Sequence, residues 1–195
     1  DNKKRVKYKI VIPLKKNHLA ERARKFEELV YKNAERFDLD PTLVFAIIET
    51  ESAFNPKAKS HIPAYGLMQL VPKSGARDAY LYIYKKDIFI KKNYLYKPIN
   101  NIELGCAYLA KIRYVYFGDI NDDEKAFICT IPAYNTGIGN VAKTLTGTTK
   151  LKKASRVANN MSKKKLYKKL INDLQYKEAR HYLKRVMDRK KKYES

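Results

Sequence analysis

Three observations predict a mostly α-helical domain with one small β element, α+β overall. Apolar residues recur at helical spacing along most of the chain, proline and glycine mark helix ends, and one tyrosine-rich stretch alternates as strands do. The chain has 195 residues, of which 45% are hydrophobic, so it can bury a core despite a formal net charge of +22. Its longest apolar runs are too short to form a transmembrane helix.

The N-terminal part divides into a lead-in and the beginning of the domain. Residues 1–17 are predicted to be an extended lead-in, the remnant of an upstream region, with a short strand at 8–13 that Pro13 ends. The charged opening lacks the apolar segment of a signal peptide, so any targeting segment would have been removed. Residues 18–195 are predicted to form the domain, which begins with a helix over 18–37.

The second helix has the clearest sequence signals. Asp40 is a favourable N-cap, and Pro41 occupies the first helical position, where a missing N–H costs nothing. Pro56 predicts where this helix ends, because the residue before a proline disfavours helical geometry. We expect a loop over 57–66 and a further helical stretch after Pro72.

Residues 79–97 are predicted to be a small β-hairpin inserted between helices. Tyrosine alternates with leucine and isoleucine at 80–84, and lysines separate two further β-prone pieces at 87–90 and 94–96. The tyrosines could stack on sugar rings or pack against one another as in an ordinary hairpin. A mixture of tyrosine and lysine also suits single-stranded nucleic acid.

The remainder of the chain is predicted to be helical and strongly basic. Helices are expected over 101–117, 122–133 and 161–192, with a loop at 144–153. Between 150 and 195 there are seventeen Lys/Arg against four Asp/Glu, which predicts either an anionic partner or a well-solvated surface. No nucleic-acid-binding motif accompanies this charge.

Cysteine and histidine placement predicts no metal site and no cofactor. Cys106 and Cys129 are too few for a disulfide scaffold and lack zinc spacing, so they are interpreted as small buried residues, with a single disulfide as the alternative. The three histidines, His18, His61 and His181, are too scattered to indicate a local metal site.

A glutamate on an apolar helix face is the first indication of function. Glu51 lies seven residues after Val44 and shares its face, together with Ile47 and Ile48, whereas Glu49 is predicted to project to the opposite side. A carboxylate seldom occupies such a face unless it is paired or used in chemistry. Burial raises a carboxyl pKa, as a general acid near neutral pH requires, and a salt bridge to one of the many bases is the competing interpretation.

The surroundings of this glutamate resemble a known family. Four motifs follow in order: ESAFNP at 51–56, GLMQ at 66–69, AYN at 133–135 and EARHY at 178–182. Together they resemble the catalytic domain of the family 1 lytic transglycosylases of bacterial cell walls, which implies a lysozyme-like, goose-type-lysozyme-like fold. Each motif alone is weak, but the ordered set is specific, and the resemblance extends to the lead-in and the insertion.

The resemblance implies that Glu51 is the only catalytic carboxylate. It would protonate the glycosidic oxygen between N-acetylmuramic acid and N-acetylglucosamine, and then accept the proton of the muramoyl C6 hydroxyl as that hydroxyl attacks the anomeric carbon. An internal hydroxyl held in place would replace water, so the product would carry a 1,6-anhydro end. The implied activity is therefore that of a lyase in cell-wall turnover, which uses no cofactor.

The resemblance also implies a set of substrate-binding residues. They are Ser52, Met68, Gln69, Tyr134, Asn135 and Tyr182. Packing in the core is the ordinary alternative for Met68. Tyr182 is expected to come close to Glu51, where its hydroxyl would tune Glu51 or position substrate. Pro132, just before the third motif, is expected to kink its helix.

Two other functions remain open from the sequence. A hydrolytic muramidase would use water and a second carboxylate, for which Asp78, Asp87 and Glu103 are the candidates. A non-enzymatic module would bind an anionic polymer, nucleic acid or cell wall, without cleaving it. The resemblance favours peptidoglycan glycan strands as the partner of a periplasmic monomer that binds no nucleic acid. An outer-membrane anchor on the full-length protein is a further expectation.

Overall fold

The computed structural model describes residues 18–194, and this part of the chain is built almost entirely from helices. The elements are α1 (His18–Arg24), α2 (Glu27–Arg36), α3 (Pro41–Ser52), α4 (Gly75–Tyr84), α5 (Lys92–Leu95), α6 (Pro98–Ala110), a π-helix (Lys111–Tyr116), α7 (Asp123–Thr136), α8 (Ile138–Thr146), α9 (Leu151–Asn160), α10 (Lys163–Asp173) and α11 (Lys177–Tyr193). The mostly helical prediction is confirmed, and the strand predicted at 8–13 lies outside the described residues.

Helix α3 is the centre of the fold. As predicted, Asp40 caps it, since the Asp40 carboxylate accepts a hydrogen bond of 2.8 Å from the Thr42 N–H. The helix ends at Ser52, slightly earlier than predicted, because Ala53 adopts a left-handed conformation with φ +49°. Every residue from 43 to 49 is buried, since α2 and α11 both pack against this helix.

The β-hairpin predicted at 79–97 is wrong. Residues up to Tyr84 belong to α4, residues 85–91 have no regular structure, and α5 follows. The alternating aromatics are accommodated on a helix because the ring centroid of Tyr80 lies 4.5 Å from that of Tyr84 and 6.3 Å from that of Tyr94. Tertiary packing against α6 therefore overrides the β propensity of the segment.

The middle helices depart from the prediction mainly at their ends. Helix α6 begins at Pro98, earlier than predicted, and changes into the π-helix before Gly118. Helix α7 starts as predicted at the acidic cluster, with the Asp122 carboxylate accepting from the Lys125 N–H at 2.9 Å. Pro132 is buried inside α7, which continues to its last residue, Thr136.

The loop predicted at 144–153 is shorter than expected, because α8 extends to Thr146 and α9 begins at Leu151. The basic amphipathic helices predicted over 161–192 are confirmed as α10 and α11. Helix α11 buries Tyr182, Leu183 and Val186 against α3 and α7. The basic tail thereby supplies part of the core as well as a charged surface.

Both cysteines are free thiols within the core. Burial raises the pKa of Cys129 to about 12, and the pKa of Cys106 rises in the same way. Among residues 18–194, no cluster of three or more potential metal ligands occurs. In the same range, no helix is both long and apolar enough to cross a membrane.

Candidate active site

Glu51 lies in the last turn of α3, where α11 crosses that helix. The hydroxyl of Tyr182, from α11, donates a hydrogen bond of 2.7 Å to Oε1 of Glu51. Tyr182 is fully enclosed, with 1% of its surface exposed, whereas Glu51 is half-buried. The fold thus unites two predicted site residues that are 131 positions apart in the chain.

The surroundings of Glu51 favour its neutral form. Burial has the largest effect and raises the pKa of this carboxyl to about 7. The hydrogen bond from Tyr182 opposes this rise, the negative charge of Glu178 adds to it, and the charge of Arg185 opposes it. Within residues 18–194, Glu51 forms no ion pair, so the competing salt-bridge interpretation does not hold. Near neutral pH the group can therefore both donate and accept a proton.

The neighbouring Glu49 corrects the helical-wheel prediction. Glu49 does not project away from the core: it is buried, with 7% exposure, beneath the C-terminal part of α11. Arg189 Nε and Lys192 Nζ lie 3.2 and 3.1 Å from its two carboxylate oxygens, and the Tyr193 hydroxyl donates to it. Burial alone would raise its pKa, but these hydrogen bonds and positive charges outweigh burial and lower it.

The GLMQ segment at 66–69 is fixed by three polar side chains. The Ser52 hydroxyl donates to the Leu67 carbonyl oxygen at 2.8 Å, and the Tyr134 hydroxyl donates to the Met68 carbonyl oxygen at 2.9 Å. Between these two contacts, the Met68 N–H donates to Oδ1 of Asn101 at 2.7 Å. The motif residues therefore hold one another in place beside the end of α3.

Asn101 is a site-organising residue that the sequence did not indicate. It is completely buried, and its Nδ2 donates to the carbonyl oxygens of Tyr65 and Leu95, each at 2.8 Å. Gly66 passes so close that a Cβ there would lie 2.4 Å from Asn101 Nδ2, and its φ is +79°. The sequence feature that could have indicated the position of Asn101 is Pro98. A proline is typical of the first position of a helix, so Asn101 is expected within the first turn of α6.

A pocket adjoins these residues. Its volume is about 280 Å³, and its lining includes Gln69, Tyr108, Tyr134, Asn135 and Gly137. Burial raises the pKa of Tyr134 well above its usual value, and the charge of Glu51 adds to this effect. Tyr108 was not predicted, and its ring centroid lies 5.3 Å from that of Tyr134.

The structure separates predicted substrate contacts from packing residues. Gln69 and Asn135 are half-buried in the pocket wall, with the Gln69 Nε2 donating to the Gly66 carbonyl oxygen at 2.8 Å. Met68 has no exposed surface, because Gly105 lets its side chain pack against α6. Packing in the core, the alternative interpretation for Met68, therefore describes its side chain, and a substrate contact by Met68 stays a prediction.

Each of the three candidates for a second carboxylate forms an ion pair. Asp78 pairs with Lys111, Asp87 pairs with Arg77, and Glu103 pairs with Arg36. Among the described residues, none of these three carboxylates hydrogen-bonds to Glu51, and each contacts a basic side chain instead. The contacts of Glu51 therefore give no support to a hydrolytic pair of carboxylates.

Comparison with known families identifies the class of protein. The family model described as Transglycosylase SLT domain matches residues 28–157. The chain belongs to this family of transglycosylases. It is 36% identical over 193 residues to membrane-bound lytic murein transglycosylase C of Klebsiella pneumoniae subsp. pneumoniae, covering 99% of this chain and 53% of that protein. The protein of the same name from Haemophilus ducreyi is 36% identical over 192 residues, with coverage of 94% and 49%. The chain thus spans about half the length of these relatives.

Solved structures agree with this assignment. The 70-kDa soluble lytic transglycosylase of Escherichia coli superposes with a TM-score of 0.66 at 26% identity, covering 90% of this chain and 25% of that one. The lytic transglycosylase Slt of Pseudomonas aeruginosa, solved as an inactive glutamate-to-glutamine mutant, gives 0.63 at 28% identity, with coverage of 86% and 23%. A complex of the 70-kDa enzyme with bulgecin A gives 0.67 at 26% identity, with coverage of 91% and 25%.

Proposed function

We propose that this chain is a peptidoglycan lytic transglycosylase in which Glu51 is the single acid and base. The observation that carries the proposal is the Glu51 carboxyl itself, half-buried, with a pKa raised to about 7 and a hydrogen bond to a buried tyrosine. The relatives named above as lytic transglycosylases support the reaction class. The inactive glutamate-to-glutamine mutant among them supports a glutamate at the centre of the chemistry.

In this proposal the two oxygens of the Glu51 carboxyl have separate tasks. Oε1 accepts from Tyr182, whose own pKa burial raises well above its usual value, so the tyrosine stays protonated and keeps donating. The other oxygen then carries the proton that is transferred to the glycosidic oxygen. Once charged, the carboxylate takes the proton of the muramoyl C6 hydroxyl, which closes the 1,6-anhydro ring without water.

The 280 Å³ pocket is proposed to position the substrate. The amides of Gln69 and Asn135 present donors and acceptors at the pocket wall, and the pocket is of the size of a single sugar unit. Ser52 and Asn101 are proposed to act indirectly. Their side chains hydrogen-bond to the main chain of the 66–69 segment and so fix the residues that line the pocket. Glycan strands of peptidoglycan, bound by a monomeric catalytic domain over 18–195, are the proposed partner.

A periplasmic location is part of the same proposal. The reaction requires access to the cell wall, and relatives of this chain are named membrane-bound. We expect the full-length protein to be held at the outer membrane. No cofactor or metal enters the proposed chemistry.

Product analysis tests the reaction and the acid together. Purified peptidoglycan is incubated with the wild type, with Glu51→Gln and with the matched control Glu49→Gln, and soluble products are identified by mass spectrometry. We expect 1,6-anhydromuramoyl ends from the wild type and the control but not from Glu51→Gln. Reducing ends would show hydrolysis, and binding without products from the wild type would show a binding module.

A further inference from the structure

The loop between α4 and α5 exposes two consecutive apolar residues at its tip. Residues 85–92 read KKDIFIKK, and Ile88 and Phe89 are 43% and 58% exposed. The next residue, Ile90, is 2% exposed and belongs to the core. The loop is therefore anchored by Ile90 while it presents Ile88 and Phe89 to the outside.

Exposed lysines bracket this apolar tip on both sides. Lys85 and Lys86 precede it, and Lys91 and Lys92 follow it, all exposed. The single acidic residue of the loop, Asp87, forms an ion pair with Arg77 of α4. The positive charge of the lysines is thus uncompensated within the loop.

The loop is also held in a defined geometry. The bidentate contact of Arg77 with Asp87 ties its first half to α4, and burial of Ile90 and Leu95 ties its second half to the core. Lys85 ends α4 in a left-handed conformation with φ +55°, donating its N–H to the Leu81 carbonyl oxygen. Little ordering is needed for the tip to meet a partner, because its backbone is already positioned.

We propose that residues 85–92 are a lipid-contacting loop that inserts Ile88 and Phe89 into the interfacial region of an anionic bilayer. An exposed apolar tip among lysines is complementary to both layers of such a surface, the acyl chains and the headgroups. The apolar side chains leave water for the acyl boundary, and the lysines meet anionic headgroups. The proposal concerns where the protein sits and is independent of the reaction proposed for Glu51.

The chemistry of the tip favours lipid over glycan. Ile88 is exposed beside Phe89 and has no ring to stack on a sugar. The carboxylate next to the tip, that of Asp87, is engaged by Arg77 and is not available to hydroxyl groups. The tip therefore presents aliphatic and aromatic carbon together with lysine ammonium groups, which suit acyl chains and anionic headgroups.

Tryptophan fluorescence provides a site-specific test, because the chain contains no tryptophan. Phe89→Trp is mixed with vesicles of phosphatidylcholine and phosphatidylglycerol, with and without bromine on the acyl chains. The matched reporter is Tyr176→Trp, an exposed position at the start of α11 in the basic tail. We expect a blue shift and bromine quenching at position 89 but neither at position 176, which separates insertion from general attraction of a +22 protein to anionic vesicles.

Removal of the tip gives an independent readout. We expect the double variant Ile88→Ser, Phe89→Ser to bind these vesicles roughly tenfold more weakly at high salt, where surface charges are screened, and Tyr176→Ser to bind as the wild type does. Cleavage of soluble glycan fragments should be unchanged in both. If the tryptophan emission at position 89 does not change with vesicles, or changes only with soluble glycan strands, the proposal is wrong. Either result would leave the reaction proposed for Glu51 unaffected.

Discussion

Two glutamates two residues apart on α3 show opposite electrostatics against the same partner helix. Glu49 is buried among Arg189, Lys192 and Tyr193, and its pKa is lowered. Glu51 keeps part of its residue surface accessible, and burial of its carboxyl raises its pKa to about 7. Burial acts in the same direction on both carboxyls, but at Glu49 the neighbouring cations and hydrogen bonds outweigh it.

Helix α11 creates this difference along its own length. Near its start it offers Glu51 a neutral donor, Tyr182, with Glu178 adding negative charge nearby. Near its end it offers Glu49 two cations, one of which, Arg189, also donates to the Thr50 hydroxyl at 2.8 Å. One helix pair thus carries a carboxylate paired with cations and another whose pKa is raised.

The largest expected effect is on activity. Glu51→Gln removes the transferable proton and is expected to lower the rate on peptidoglycan by about 10³-fold, within the range that general acid catalysis supplies. Glu49→Gln makes the same chemical change outside the site and should stay within a few-fold of wild type at temperatures where it is folded. The rate of release of anhydro-muropeptides measures the activity of both variants. Equal losses of activity in Glu51→Gln and Glu49→Gln would contradict the different roles of the two glutamates.

The next effect is on stability through Glu49. Glu49→Gln leaves Arg189 and Lys192 without their buried anion, and we expect a loss of about 2 kcal/mol in the free energy of unfolding at pH 7. The folded pKa of Glu49 is lowered, so its contribution is present above the unfolded value of 4.5 and is lost as pH falls through the folded pKa. Urea unfolding at pH 7 and at pH 3 should show a smaller difference between the variant and the wild type at pH 3.

Glu51→Gln is expected to act on stability in the opposite direction. The folded pKa of Glu51 is raised from 4.5 to about 7, so ionising it in the folded state opposes folding once pH exceeds 4.5. Because the group is half-buried, we expect the variant to be more stable than wild type by about 1 kcal/mol at pH 8 and equal to it at pH 4. Chemical denaturation at the two pH values measures this, and a destabilised variant at pH 8 would contradict it.

Tyr182→Phe should move the pH profile of the reaction. The tyrosine hydrogen bond lowers the Glu51 pKa, so its removal raises that pKa. The protonated form then persists to higher pH, and the falling limb of kcat/KM should shift alkaline by roughly half a pH unit or more. If the rate falls but the pH of the falling limb of kcat/KM does not change, Tyr182 acts on the substrate and not on the Glu51 pKa.

The smallest expected effects come from the two exposed charges near Glu51. Glu178 raises its pKa and Arg185 lowers it, so Glu178→Gln should shift the falling limb toward acid and Arg185→Gln toward alkaline pH. Both shifts should be a few tenths of a unit and should shrink in high salt, because solvent screens exposed charges. Shifts in the same direction would show that neither charge acts on Glu51.

The sequence was sufficient for Glu51 but not for Glu49. Helical periodicity placed Glu51 on the apolar face correctly, because that face does point into the fold. The same reasoning assumes a helix with one buried side, whereas α3 is covered by α2 and by α11. The local sequence pattern of a helix does not show which of its sides will be covered by an element that is distant in the chain.

Two other features show the same limit. The alternation at 80–84 predicts strands, but the segment is helical. Tyr80 contacts Tyr84 on the same helix and Tyr94 beyond it, and only the second contact joins residues that are distant in the chain. Asn101 was missed because its partners are main-chain groups of Tyr65, Met68 and Leu95, which form no sequence motif. The motifs indicated Glu51 and three residues of the pocket wall, Gln69, Tyr134 and Asn135. The role of Asn101 in fixing the 66–69 segment is visible only in three dimensions.

A titration of the two carboxyl groups themselves tests the opposition of Glu49 and Glu51 most directly. Protein labelled with ¹³C-glutamate is titrated by NMR, and the two side-chain signals are assigned from their loss in Glu49→Gln and Glu51→Gln. We expect the Glu51 carboxyl carbon to titrate near pH 7 and that of Glu49 below the usual value of 4.5. A midpoint near 4.5 for Glu51, or a higher one for Glu49 than for Glu51, would contradict the assignment of Glu51 as the acid.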